Sequence, residues 1–198
     1  MVKKRVAIFA SGSGSNLQAL LDAMQAPDFP AEAVLVVSNK EASFALERGR
    51  RAGVSSIFVD PKSFDSKEAY DLRLVELLAK AKIDLLCLAG YMRILTPVLV
   101  KAYADRILNI HPALLPKFGG PGMYGHHVHE AVIKAGEAES GASVHFVTEG
   151  VDEGAVILQE RIRVLPGETP ESLVKRVLEI EHKIYPQALR KVCESLGN

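Results

Sequence analysis

Residues 5–25 read RVAIFASGSGSNLQALLDAMQ, and this stretch decides the fold class. Arg5 to Ala10 is a short apolar run ended by a Ser/Gly turn, the pattern of a strand buried in a parallel sheet. Asn16 to Gln25 then places Leu17, Leu20, Leu21 and Met24 along one helical face. A buried strand that passes through glycine into an amphipathic helix is a building unit of α/β proteins.

The unit recurs. Ala33 to Val37 reads as a second strand, Ala42 to Ala52 as a helix with Gly53 as its stop signal, and Ser56 to Val59 as a short third strand. Asp65 or Ser66 caps a long helix to about Lys82, and Ile83 to Ala89 is a fourth buried strand. A short helix starts at Pro97, and Ile107 to Ile110 is a fifth strand. This alternation predicts a doubly wound, Rossmann-like, mostly parallel sheet over about residues 1–107.

Beyond residue 111 the style changes. A glycine- and histidine-rich loop runs from Pro112 to about His126, and a helix follows to about Ala135. Ser143 to Val147 and Ala155 to Arg163 read as a strand pair around the acidic turn VTEGVDEG. A last helix spans about Pro170 to Glu194, where Pro186 is expected to kink or interrupt it. The parallel half is thus expected to continue into a mixed-sheet lobe over about 108–198, all within a single domain of residues 1–198.

Composition narrows the function classes. The chain has 198 residues, 48% of them hydrophobic, enough for one substantial core. Its formal net charge is zero, so no global field favours nucleic acid or an anionic membrane surface. The apolar run Val6 to Ala10 is too short for a signal-peptide core, and no segment has the length of a membrane span. Cys87 and Cys193 have neither metal-ligand nor redox-pair spacing, which fits a reducing cytoplasm.

Two local features carry chemistry. The turn Ser11 to Leu17 joins strand to helix, and helix N-termini offer unpaired N–H groups to a phosphate. It is a poor dinucleotide fingerprint, because Leu17 stands where the third glycine belongs and no acidic residue ends the second strand. No Gly-Lys-Ser/Thr closes it either, so a monophosphate suits it better than NAD or ATP. The turn also fits a plain serine-capped connection.

The second feature is Asn109-Ile110-His111-Pro112. Residues two apart on a strand share a face, so Asn109 and His111 project side by side. A carboxamide donor beside a base that titrates near neutrality suits acyl transfer. A polar strand end with an ordinary satisfied histidine is equally compatible with the tetrapeptide alone. Asp152 can be folded against His111, where a carboxylate raises a histidine's pKa, or can be a simple turn residue. His126, His127 and His129 match no known metal spacing and are expected to be surface or helix-entry residues, with no metal bound.

Taken in order along the chain, SGSGSNLQAL (11–20), SNK (38–40), FDSKEAYD (64–71), LAGYMRIL (88–95), LNIHPALLPKF (108–118), SVHFVTEGVDEGAVILQ (143–159) and EHKIYP (181–186) resemble the phosphoribosylglycinamide formyltransferases, folate-dependent enzymes of purine synthesis. The resemblance implies a Rossmann-like lobe followed by a lobe with the folate cleft. By it, Asn109, His111 and Asp152 match the catalytic trio, and Gly14, Ser15 and Asn16 match the phosphate loop. Glu181 matches a ribose contact, and Met92, Arg93, Ile94 and Leu95, with Asn109, match the folate pocket. Lys67 falls near the folate tail where relatives often carry arginine, which keeps charge but loses bidentate geometry. The segment GGPGMYGHHVHE, 119–130, is longer than the Pro-Gly turn of many relatives, and with His126, His127 and His129 it is expected to form part of the folate-side rim of the cleft.

The implied reaction moves a formyl group from 10-formyltetrahydrofolate to the amine of 5-phosphoribosylglycinamide without a metal. The implied partners are these small molecules, with no nucleic acid and no membrane. Rivals are a formyltetrahydrofolate hydrolase-like enzyme and a non-catalytic nucleotide-binding module. The hydrolase would carry an added N-terminal domain, for which a chain beginning at its first strand leaves no room. The binding module would not need Asn109, His111 and Asp152 together.

Overall fold

Alternate residues of the first strand, β1 (Lys4–Phe9), bury into two different cores. Val6 and Ile8 pack with Leu17, Leu20, Val177 and Tyr185 on one face, while Ala7 and Phe9 pack with Tyr70, Leu74, Leu78 and Leu99 on the other. A strand covered on both faces explains why the run 5–10 lacks polar alternation. The computed structural model describes residues 2–196.

Beside β1 lie β2 (Ala31–Ser38) and β4 (Leu85–Leu88), both parallel to it. The sheet is completed by β3 (Ser55–Phe58), β5 (Ile107–His111), β6 (Glu139–Phe146) and β7 (Val156–Arg163), in the order β3-β2-β1-β4-β5-β6-β7. Pairing is parallel through β5 and antiparallel from β5 to β7. The expected doubly wound sheet with a mixed extension is therefore present. The winding changes direction between β1 and β4, and in such sheets a crevice opens at the carboxyl ends of the strands there. The chain leaves β1 as Ser11–Asn16 and leaves β4 as Gly90–Leu95, so both segments flank that crevice.

Helices α1 (Ser15–Met24), α5 (His126–Lys134) and α6 (Pro170–Ser195) contribute to the first core. Helices α3 (Lys67–Lys80) and α4 (Pro97–Ala102) cover the other face, and α2 (Phe44–Arg51) packs beside β2 and β3. The Ser66 side chain accepts from the Ala69 N–H, which makes it the cap of α3. Leu74 is fully buried, so truncation to alanine is expected to cost about 2–5 kcal/mol.

Two features depart from the sequence reading. Strand β6 begins at Glu139, not Ser143, because it is sandwiched between β5 and β7 and pairs with β7 along its length. Tertiary pairing overrides the weak strand preference of Glu139, Ser140 and Gly141. A Cβ at Gly141 would fall 2.0 Å from the Glu160 carbonyl oxygen, so this crossing admits only glycine. Helix α6 runs unbroken through Pro186. Ile184, Tyr185, Ala188 and Leu189 are buried on both sides of the proline, and that packing holds the helix despite the missing N–H. The Tyr185 hydroxyl reaches the carbonyl oxygens of Leu88 (3.0 Å) and Leu108 (3.1 Å), which ties α6 to the ends of β4 and β5.

Candidate active site

The antiparallel register of β5 and β6 sets Asn109 opposite His145 and His111 opposite Ser143. Asn109 Nδ2 lies 3.1 Å from His145 Nε2. His145 Nδ1 lies 2.8 Å from the Phe146 carbonyl oxygen, which only accepts, so Nδ1 carries the proton. In the neutral ring Nε2 is then the acceptor, and the Asn109 amide must turn its NH2 towards it. That fixes the carboxamide and leaves its second N–H free.

His111 is 3% exposed, and its Nε2 donates to the Phe118 carbonyl oxygen at 2.7 Å. Asp152, in a left-handed turn after β6, spans both histidines. Its Oδ2 lies 3.5 Å from His111 Nδ1 and its Oδ1 3.5 Å from His145 Nε2. The Gly120 N–H donates to Oδ2 at 3.0 Å. Burial alone pushes the Asp152 carboxyl up, but the His145 contact, the nearby His111 and the Gly120 N–H together hold it below the usual range.

The expected rise of the His111 pKa does not occur. Burial of the ring outweighs the pull of Asp152 and of the Phe118 carbonyl, and the net shift is downward. His111 is therefore a neutral base beside an ionised carboxylate near pH 7.

This cluster forms one end of a cleft of about 770 Å³, within the roughly 300–1,000 Å³ typical of small-molecule sites. At the other end stand Ser13, Asn16 and Glu181. Asn16 Nδ2 donates to Glu181 Oε2 at 2.5 Å, while Asn16 Oδ1 is buried without a partner among the described residues. Glu181 is buried, and that burial pushes its carboxyl up to about 7 against the Asn16 hydrogen bond. Gly14 and Ser15 lie between Ser13 and Asn16 in the chain but do not themselves line the cleft, and Gly14 at φ +71 is the N-cap of α1. A Cβ on Gly14 would sit 2.8 Å from Ala45 Cα, so α2 presses directly on the turn. Arg48 Nε braces it further by donating to the Ser13 carbonyl at 2.8 Å.

The cleft is also lined by Tyr91, Met92, Arg93, Ile94 and Leu95 and by the turn residues 147–152. Met92 and Ile94 are exposed at 48% and 67%, an apolar lip open to a ligand, while Arg93 stacks 4.7 Å over the Tyr70 ring. The buried Ser11 hydroxyl links the walls: it donates to Asn39 Oδ1 (2.6 Å) and accepts from the Met92 N–H (2.8 Å). Lys67 is exposed in the first turn of α3 and does not line the cleft.

The histidines of α5 divide. His126 and His127 are at the surface, each 3.3 Å from Glu130. His129 is 3% exposed and lines the cleft, so it lies beside the cleft as expected but buried in its wall, not at the surface. Burial, then the charges of His126 and His111, push its pKa down to about 4. The signal was present in the sequence, since Val128 and Val132 mark a buried stripe and His129 sits three residues before Val132. The role of His145 was not legible, because it depends on the register between two strands distant in sequence.

Residues 4–189 match the formyl transferase family, and the chain belongs to it. Among named relatives, phosphoribosylglycinamide formyltransferase of Escherichia coli is 44% identical over 181 residues, 91% of this chain and 83% of that protein. The trifunctional purine biosynthetic protein adenosine-3 of Drosophila pseudoobscura is 48% identical over 189 residues. That match covers 94% of this chain but only 14% of the trifunctional protein. Glycinamide ribonucleotide transformylase 1 of Symbiobacterium toebii superposes with a TM-score of 0.93 at 43% identity, covering 98% of this chain and 89% of that one.

Proposed function

We propose that the chain transfers the formyl group of 10-formyltetrahydrofolate to the amine of 5-phosphoribosylglycinamide, a step of purine biosynthesis. The observation that carries this reading is one continuous cleft with a monophosphate-type turn at one end and a buried Asn–His–Asp cluster at the other. The phosphate rests on the N–H groups of Gly14, Ser15 and Asn16, and Glu181 takes the ribose hydroxyls. Met92 to Leu95 receive the folate ring, and Lys67 stays outside the cleft, near the tail. The two substrates then meet at Asn109 and His111.

The amine attacks the formyl carbon and the carbonyl becomes an oxyanion. The free Asn109 N–H donates to that oxyanion. His111, neutral at rest, accepts the proton the amine loses, and Asp152 stabilises the resulting imidazolium. Collapse of the tetrahedral intermediate expels the folate N10, which takes the proton from the His111 imidazolium and returns the ring to its neutral form. His145 holds the Asn109 carboxamide in its donating orientation. The residues supply every one of these steps without a metal.

The reading treats the chain as a single domain of residues 1–198, with a phosphate lobe to about 107 and a catalytic lobe beyond. The continuous seven-stranded sheet supports that division. It takes small-molecule partners, neither nucleic acid nor membrane, and a cytoplasmic setting. Among the described residues, no helix is long and apolar enough to cross a membrane. The test is product analysis with both substrates. Formylglycinamide ribonucleotide is expected, and free formate released equally fast without the amine would contradict the proposal.

A further inference from the structure

His129 is buried in the cleft wall, yet its Nδ1 has no hydrogen-bond partner among the described residues. Buried polar atoms of folded proteins are nearly always paired, so an orphan in a cavity wall asks for a reason. With Nδ1 unpaired, no protein contact there fixes the tautomer. The ring is free to turn either an N–H or a lone pair towards the cleft. Burial of the ring, with the charges of His126 and His111, also keeps it uncharged near neutral pH. It is a hydrogen-bonding group, not a counter-ion.

Its position selects the ligand. Helix α5 packs on α6, which supplies Val174, Leu178 and Glu181 to the cleft. Val132 of α5 shares a core with α1 and α6, whereas Tyr91 and Leu95 belong to the core of the opposite sheet face. His129 thus stands on the phosphate-turn side of the cleft, close enough to His111 for a charge on that ring to bear on it. We infer that His129 hydrogen-bonds the glycinamide group of the ribonucleotide and so orients its amine towards the formyl carbon. This rests on the reading of the substrate given above.

The experiment is calorimetric binding, without folate, of phosphoribosylglycinamide and of ribose 5-phosphate to the wild type and to His129→Phe and His129→Gln. Phenylalanine preserves the ring's volume and removes its hydrogen bonding. His129→Phe is expected to weaken phosphoribosylglycinamide roughly tenfold, the worth of one buried hydrogen bond, and to leave ribose 5-phosphate within about twofold. His129→Gln is expected to recover part of the loss. The melting temperature of His129→Phe should equal or exceed that of the wild type, since an unpaired buried polar group has gone. An equal loss for both ligands, or no loss for either, would overturn the inference. A wild type that binds ribose 5-phosphate as tightly as phosphoribosylglycinamide would overturn the substrate reading as well.

Discussion

The two ends of the cleft are built on different principles. The Ser13–Asn16 end is made of consecutive residues at one strand-to-helix turn, and the groups proposed to hold the phosphate are its backbone N–H. The Asn109–His111–His145–Asp152 end is assembled from two antiparallel strands and a distant turn, and its groups are side chains. A backbone site holds a fixed charge with little dependence on pH or rotamer. A side-chain cluster moves protons, and it needs long-range register to place them. In the proposed function, binding thus falls to the local structure and chemistry to the tertiary structure.

Titrations within the cleft also oppose each other. Glu181 is raised to about 7, so the folded state binds its proton more tightly than the unfolded chain does. Its contribution is lost as pH rises from about 4.5 through about 7. His111 and His129 are lowered, so the folded state binds fewer protons than the unfolded chain. Their contribution is full above about 6.5, the usual histidine value, and falls as pH drops towards the value of about 4 held by His129.

The comparison can be broken most sharply at the catalytic end. His111→Ala and Asp152→Asn are expected to lower kcat by roughly 10²–10⁴ while both KM values move only a few-fold. Steady-state kinetics with each substrate varied in turn checks this, and a matching rise in KM would erase the distinction between the ends. Asn109→Ala is expected to lose about 10²–10³ in kcat, the cost of one oxyanion donor. His145→Phe should show a smaller loss of the same kind, because it frees the Asn109 amide to turn.

At the other end, Glu181→Gln should raise the KM for the ribonucleotide about tenfold and leave the folate KM unchanged. Gly14→Val is a harsher probe. Its Cβ meets Ala45 and its φ is +71, so lost stability is expected along with lost ribonucleotide affinity. The smallest effect is in the pH dependence of unfolding. Denaturant titrations between pH 4 and 7 should give a shallower acid-side loss for His129→Phe than for the wild type. For Glu181→Gln the loss towards pH 7 should be shallower. Unchanged slopes in both would show that neither group titrates as its burial demands.

The same contrast governs what could be read without a structure. The β1 turn, the alternation of strands with helices and the strand face shared by Asn109 and His111 were legible because each is set within a few residues. The length of β6 and the pairing of His145 with Asn109 were not, because they follow from β6 lying between two partners. The direction of the His111 shift was misjudged for a related reason. The charge of a neighbour can be guessed from sequence, whereas the burial that outweighs it emerges only from the packed fold. Pro186 misled in the same way, since its neighbours' packing keeps α6 whole.

One measurement bears most directly on the division of labour. Single-turnover formyl transfer should be timed for Glu181→Gln and His111→Ala with both substrates saturating. The Glu181 variant is expected within about threefold of the wild-type rate, since saturation restores what binding lost. The His111 variant is expected to be at least about 100-fold slower although both substrates are bound. A His111 variant that transfers at the wild-type rate, or a Glu181 variant as slow as it, would contradict the account.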